Sequence, residues 1–194
     1  MGTWRASSRG ARLADGPVRR VVLVGMMASG KSAAGAELAR RLGWTHVDLD
    51  REIEAFDGRR IPDIFADEGE AAFRAMEAEA TRRFAGRESI VLSPGGGWAN
   101  QPALLEALGP GTLAVWLRVS PEEAVRRAAR APGERPLLAG ADPLSAVRRL
   151  LSAREGAYAR AGLHLDTDAR AVGSIVDDIE RHIRSLEAGG TPSR

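Results

Sequence analysis

Gly25, Gly30, Lys31 and Ser32 stand at the spacing G-x-x-x-x-G-K-S, a set of residue types that together can hold a nucleoside triphosphate. Glycines let backbone N–H groups curl around a β-phosphate, an ammonium at position 31 spans the β- and γ-phosphates, and the Ser32 hydroxyl ligates Mg²⁺. Gly25, Ala28, Ser29, Gly30, Lys31, Ser32 and Ala33 are therefore the candidate nucleotide-binding residues. Lys31 is the sole lysine among 28 Lys+Arg residues. A chain so biased towards arginine keeps an ammonium where a compact point charge suits a phosphate. The residues before the loop are apolar and β-branched, as in a strand; Ala34, Leu38 and Leu42 follow at helical spacing up to Gly43. The positive end of that helix would face the same anion.

Other candidates stand where further apolar runs end. Asp48 and Asp50 flank Leu49 and point the same way on an extended chain. Either alone would suit a solvated turn or a helix cap. Beside a phosphate loop, Asp48 is placed to hold Mg²⁺ through water and Asp50 to meet a substrate hydroxyl. Gly95, Gly96 and Gly97 form a triplet whose entropic cost implies an unusual backbone path or the close approach of a ligand; a plain flexible loop is the competing account. Trp98 follows and should border whatever the glycines admit. Arg154 lies on the apolar stripe of Leu144, Val147, Leu151 and Tyr158, and arginine is rarely buried unless paired. Arg74 lies beside Phe73 and Met76, with Glu70 and Glu77 within a turn to orient it. Structural salt bridges would explain either arginine; in one cleft, the two would make a carboxylate receptor. Residues 131–141 carry Pro132, Gly133, Pro136 and Gly140 around Arg135, too broken for a helix. They read as a lid bringing Arg135 to a γ-phosphate, with an inert surface loop as the alternative.

Positioning these groups requires alternating strands and helices, hence an α/β fold with a parallel sheet covered on both faces. Residues 44–47, 89–92 and 113–117 read as the second to fourth strands, and His164 and Leu165 as part of a short last one. Ser120, Pro121 and Glu123 signal a helix by a capping box. Ile175, Val176, Ile179, Ile183 and Leu186 form the stripe of a final helix. The 194 residues, 44% of them hydrophobic, suit one domain at 18–187, between a disordered tail at 1–17 and a second tail at 188–194. A transit peptide is the alternative for the first tail. The net charge is +2 despite a pI near 9.8, because arginines stay charged to about pH 12, so no nucleic-acid partner is expected. The chain has no cysteine, which excludes disulfides, thiolate zinc sites and cysteine nucleophiles and fits a cytoplasmic location. No apolar run approaches the roughly 20 residues of a membrane span. His46, His164 and His182 lack metal-ligand spacing and read as structural or exposed.

Taken in order, Gly-Met-Met-Ala-Ser-Gly-Lys-Ser at 25–32, Asp48-Leu49-Asp50, Ile61-Pro62-Asp63-Ile64-Phe65, Gly69-Glu70, Phe73-Arg74, Glu77, Gly95-Gly96-Gly97, Arg135-Pro136-Leu137-Leu138 and Arg154 resemble the shikimate kinase family over about residues 21–183. The resemblance implies a nucleoside-monophosphate-kinase-like three-layer fold. It would have a central, mostly five-stranded parallel sheet, a helical substrate-binding subdomain at about 50–85 and a lid at about 131–141. It also implies ATP-dependent phosphorylation of the shikimate 3-hydroxyl by a monomer. Lys31, Asp50 and Arg135 would be catalytic. Asp50, Arg74, the glycines 95–97 and Arg154 would hold shikimate; Ser32 and Asp48 would serve Mg²⁺. Arg135 would contact ATP, and Arg127 and Arg170 would flank adenine. The chain departs from the family pattern at Ala33, at Trp98 and at Val172. A large aromatic at 98 leaves open another hydroxy acid such as gluconate, and a non-catalytic nucleotide-binding module is the remaining alternative.

Overall fold

The computed structural model describes residues 17–130 and 142–188. Strand β1 (Arg20–Val24) is buried along its whole length, and its alternation divides the core. Val21 and Leu23 face one layer and Val22 and Val24 the other, as the period of two in a strand dictates. The chain continues through α1 (Lys31–Leu42), β2 (Thr45–Asp48), α2 (Leu49–Asp57), α3 (Ile61–Arg83), β3 (Ile90–Ser93), a 3₁₀ turn at Trp98–Asn100, α4 (Pro102–Leu108), β4 (Thr112–Arg118), α5 (Pro121–Arg130), α6 (Pro143–Tyr158), β5 (Leu163–Asp166) and α7 (Val172–Ala188). Among the described residues, five strands form one sheet in the order β2-β3-β1-β4-β5, every pairing parallel.

Leu38 of α1 and Ile175, Val176 and Ile179 of α7 cover one face of the sheet. On the other face, Phe73 and Phe84 from the α3 region, Leu104 and Leu108 of α4 and Tyr158 of α6 pack against Val22, Leu92 and Trp116. Each fully buried aliphatic side chain contributes about 1.5–3 kcal/mol, so the stripes read from the sequence are the main source of stability. At the opposite end of the sheet from the phosphate loop, buried Arg20 donates to the carbonyls of Arg87, Leu108 and Pro110 and to Thr112 Oγ1. No described helix is long and apolar enough to cross a membrane.

Because all five strands are parallel, their carboxyl ends lie at one edge. Strand order reverses on either side of β1, which opens a crevice for ligands there. The phosphate loop follows β1, the Asp48/Asp50 segment follows β2, and the glycine triplet follows β3. The strands sit within a residue or so of their expected places, with Ser93 inside β3 and Ser89 outside it. Ser120 Oγ accepts from the Glu123 amide as the capping box requires, but the Ser120 amide donates to Asp168 while Glu123 pairs with Arg126 and Arg127.

Candidate active site

The phosphate loop turns sharply out of β1. Gly25 has φ 145°, and a β-carbon there would lie 2.5 Å from the Leu117 carbonyl oxygen. Ala28 and Gly30 also take positive φ, 59° and 92°. Lys31 Nζ donates to the carbonyls of Gly25 and Met26, at 3.0 and 2.9 Å, so the ammonium is folded over the loop. Ser29 is buried, and its hydroxyl has no partner among the described residues. Ala33 is exposed on the first turn of α1.

Ser32 Oγ donates to Asp48 Oδ2 at 2.9 Å, while Asp48 Oδ1 accepts from the Arg51 amide and caps α2. The helix-cap reading of Asp48 holds for one oxygen, and the other meets the loop hydroxyl. These are hard oxygen donors, and among the described residues there is no cluster of three or more His, Cys, Asp or Glu able to hold a metal. That donor set fits Mg²⁺, which keeps several waters and binds through one or two protein oxygens plus phosphates. The expectation that Asp48 and Asp50 share a direction on an extended chain is not met, because α2 begins at Leu49. Asp50 reaches the site from the first helical turn.

The glycine triplet shows how the other side chains meet. None of Gly95, Gly96 and Gly97 has positive φ, so their backbone path does not demand glycine. Their neighbours do. A β-carbon on Gly95 would lie 3.0 Å from Asp50 Oδ1; on Gly96, 3.1 Å from Arg154 Nη1; on Gly97, 2.7 Å from Arg74 Cζ. Gly96 also approaches the Gly25 carbonyl, 3.5 Å from the same construction, which ties this cluster to the phosphate loop. The side chains nearest the three glycines, Asp50, Arg154 and Arg74, belong to α2, α6 and α3.

Charges in the cluster are strongly biased by burial. Desolvation, aided by Asp48 and opposed by Lys31, raises the Asp50 carboxyl to about 6. Burial likewise pushes Glu77 up, against the pull of Arg74. Glu77 Oε2 accepts from Arg74 Nη1 at 2.7 Å and from Gln101 Nε2 at 3.0 Å. Asp50 Oδ1 and Glu77 Oε1 have no hydrogen-bond partner among the described residues. Arg74 also pairs with Glu70 at 3.0 Å. Glu70 is exposed, and such surface pairs contribute well under about 1 kcal/mol, so a bound anion could displace it. Arg154 is half-buried, and no carboxylate pairs with it among the described residues. Burial pushes the Tyr158 hydroxyl up, with the Arg154 guanidinium opposing.

One further expectation changes. Trp98 does not border the pocket: it is 2% exposed in the core, and its indole N–H donates to Thr81 Oγ1 at 2.9 Å. Its size is accommodated behind the glycines, so it gives no steric ground for a different acceptor. Arg127 reaches the phosphate loop, donating to the Ala28 carbonyl and to Thr167. Arg170 instead turns onto α7, where Ser174 and Asp178 engage it. Arg135 and the expected lid at 131–141 lie outside the described residues. Tyr158, read from the sequence only as a member of an apolar stripe, donates its hydroxyl to the Gly96 carbonyl. The signal was available in its position one turn after Arg154, as the single tyrosine of the chain. A cavity of about 930 Å³ between β2, α2 and α3 contains none of the candidate residues.

A parallel sheet with a phosphate loop at its switch point, beside two arginines and a raised carboxyl that converge on one glycine loop, defines a P-loop kinase for a small acceptor. The family model described as shikimate kinase matches residues 27–184. A shikimate kinase of Thermus thermophilus is 47% identical over 178 residues, covering 90% of this chain and 95% of the relative. The structure of shikimate kinase from Acinetobacter baumannii in complex with shikimate superposes with a TM-score of 0.80 at 34% identity, covering 87% of this chain and 94% of that one. The chain belongs to the shikimate kinase family and is an ATP-using kinase. A gluconokinase from Sinorhizobium meliloti, at 19% identity and TM-score 0.59 over 89% and 95% of the two chains, shares the fold alone.

Proposed function

We propose that, in transferring the γ-phosphoryl of ATP to the 3-hydroxyl of shikimate, this chain grips the acceptor carboxylate between Arg74 and Arg154 and receives the hydroxyl proton at Asp50. The carrying observation is that the three side chains converge on consecutive glycines, next to the loop that holds the nucleotide. Shikimate bears a carboxylate and hydroxyls on one ring, so a guanidinium pair and a carboxylate gathered on one short glycine loop match its two ends. Glu77 holds one edge of Arg74, and a bound anion would displace the exposed Glu70 from the other. Charge-assisted pairs of this kind contribute about 1.5–3 kcal/mol each.

In the transfer, the acceptor oxygen bonds to the γ-phosphorus, the bond to the bridging oxygen of ADP breaks, and the hydroxyl proton passes to Asp50. Lys31 neutralises charge on the phosphates, and the loop amides orient them. Mg²⁺, bound through Ser32 directly and Asp48 through water, would supply further neutralisation of the triphosphate. Arg127, at the Ala28 carbonyl, is placed against the nucleotide side of the loop. Helices α2 and α3 form the substrate-binding part of one kinase domain. The enzyme is read as a cytoplasmic monomer, which the cysteine-free composition suits.

Steady-state kinetics of Arg154→Ala and Arg74→Ala test the grip. Each should raise KM for shikimate at least about ten-fold with KM for ATP nearly unchanged. Wild-type KM values for shikimate in both variants would remove the carboxylate assignment.

A further inference from the structure

The glycine loop is tied on one side to each of the helices that carry the two arginines, through Gly96, Trp98 and Ala99. On the α3 side, Trp98 Nε1–H donates to Thr81 Oγ1 at 2.9 Å, and the Thr81 hydroxyl donates to the Glu77 carbonyl at 2.7 Å. Glu77 in turn holds Arg74. On the α6 side, the Tyr158 hydroxyl donates to the Gly96 carbonyl, and Arg160 Nη2 donates to the Ala99 carbonyl at 3.0 Å. Thr81, Glu77 and Tyr158 are fully buried and Trp98 is nearly so, and the Trp98–Thr81 and Thr81–Glu77 bonds lie out of reach of solvent. Between the ties the loop is stiffened by its own turn, with the Trp98 amide donating to the Gly95 carbonyl and the Asn100 amide to that of Gly97.

We infer that Trp98 with Thr81, and Tyr158, are positioning residues that suspend Gly95–Gly97 between α3 and α6 and so set the spacing of the Arg74 and Arg154 guanidinium groups. The inference rests on the carboxylate grip proposed above and extends it to residues that touch no substrate. Its physical basis is that the loop acts as a spacer. Arg74 lies against a glycine with no room for a β-carbon and Arg154 against one with little, so moving the loop moves the surface on which both rest. Two like charges facing one slot repel, and packing against a tethered backbone fixes them at the separation a bound carboxylate needs. A tryptophan at position 98 is thus a tether for the loop, drawn into the core by its indole N–H.

The test deletes single hydroxyls from the full-length enzyme. Tyr158→Phe and Thr81→Val should each raise KM for shikimate about three- to ten-fold, the range expected for losing one buried hydrogen bond, with KM for ATP within about two-fold of wild type. Thr81→Ser, which keeps the hydroxyl, should restore wild-type KM. Should Thr81→Val not fold, Trp98→Phe breaks the same bond from its other end and carries the same expectation. Arg154→Ala is measured in parallel. If it raises KM for shikimate while the hydroxyl deletions leave it unchanged, the suspension is overturned and the grip stands. If Arg154→Ala itself leaves KM unchanged, the grip fails and the suspension with it. Parallel rises in both KM values would mark general loosening of the fold and likewise overturn the inference.

Discussion

Asp50 and Glu77, twenty-seven positions apart on different helices, face the same glycine: a β-carbon on Gly95 would lie 3.0 Å from Asp50 Oδ1 and 3.5 Å from Glu77 Oε1, and neither oxygen has a hydrogen-bond partner among the described residues. Two acids at one point are held apart in role by their other contacts. Glu77 is bound by Arg74 and Gln101, whereas Asp50 Oδ1 is unpartnered among the described residues, which is the ground for assigning Asp50 to the acceptor hydroxyl in the proposed mechanism.

That environment makes Asp50 a liability for stability and, in the proposed mechanism, suits it to receive a proton. With its carboxyl raised to about 6, Asp50 in the native state retains a proton that the unfolded chain releases near pH 4. Between those values native stability from this group declines as pH rises, and above about pH 6 the full penalty is present. Asp50→Asn should therefore melt higher than wild type at neutral pH, by about 2–4 °C for each kcal/mol recovered, while kcat falls at least about a hundred-fold. The kcat/KM profile of the wild type should show an acidic limb near pH 6 that the variant lacks. A lower melting temperature for the variant would contradict the burial argument.

Gly97→Ala tests the spacer directly. The added methyl would fall 2.7 Å from Arg74 Cζ, so the guanidinium must move. KM for shikimate should rise about ten-fold or more, with KM for ATP little changed, as measured by initial-rate kinetics. Gly58→Ala, at a glycine with nothing within 4 Å but with φ 84°, should instead lower the melting temperature without a selective change in KM for shikimate.

Ser32 and Asp48 share a hydrogen bond but differ in what else they do. Ser32→Ala and Asp48→Asn should both raise the Mg²⁺ concentration needed for half-maximal activity. Asp48→Ala should also lower stability by about 1 kcal/mol through loss of the α2 cap, which Ser32→Ala should leave intact. Mg²⁺ titration of activity with thermal melts separates the two effects.

Much of this site was legible because strand ends and short motifs carry their chemistry locally. The phosphate loop announces itself by glycine spacing, and a parallel sheet puts the residues after β1, β2 and β3 at one edge. Convergence of Arg74 and Arg154 could be proposed from their placement on apolar helix faces, yet only the fold shows which glycine each rests on. Trp98 was misplaced because sequence adjacency to a glycine loop says nothing about which side of the loop a side chain takes; Thr81, seventeen positions earlier, decides that. The Asp48/Asp50 alternation failed because a helix started one residue sooner than an extended reading allows. Tyr158 was hidden by its own apolar ring, which satisfies the helix stripe and conceals the hydroxyl.

The central claim is one slot with an anion receptor at one end and a proton acceptor at the other. The crystal structure of this enzyme with bound shikimate measures it most directly. The carboxylate should lie between the Arg74 and Arg154 guanidinium groups, with the 3-hydroxyl within about 2.6–3.2 Å of Asp50. A carboxylate bound elsewhere, with Asp50 facing no hydroxyl, would contradict the account.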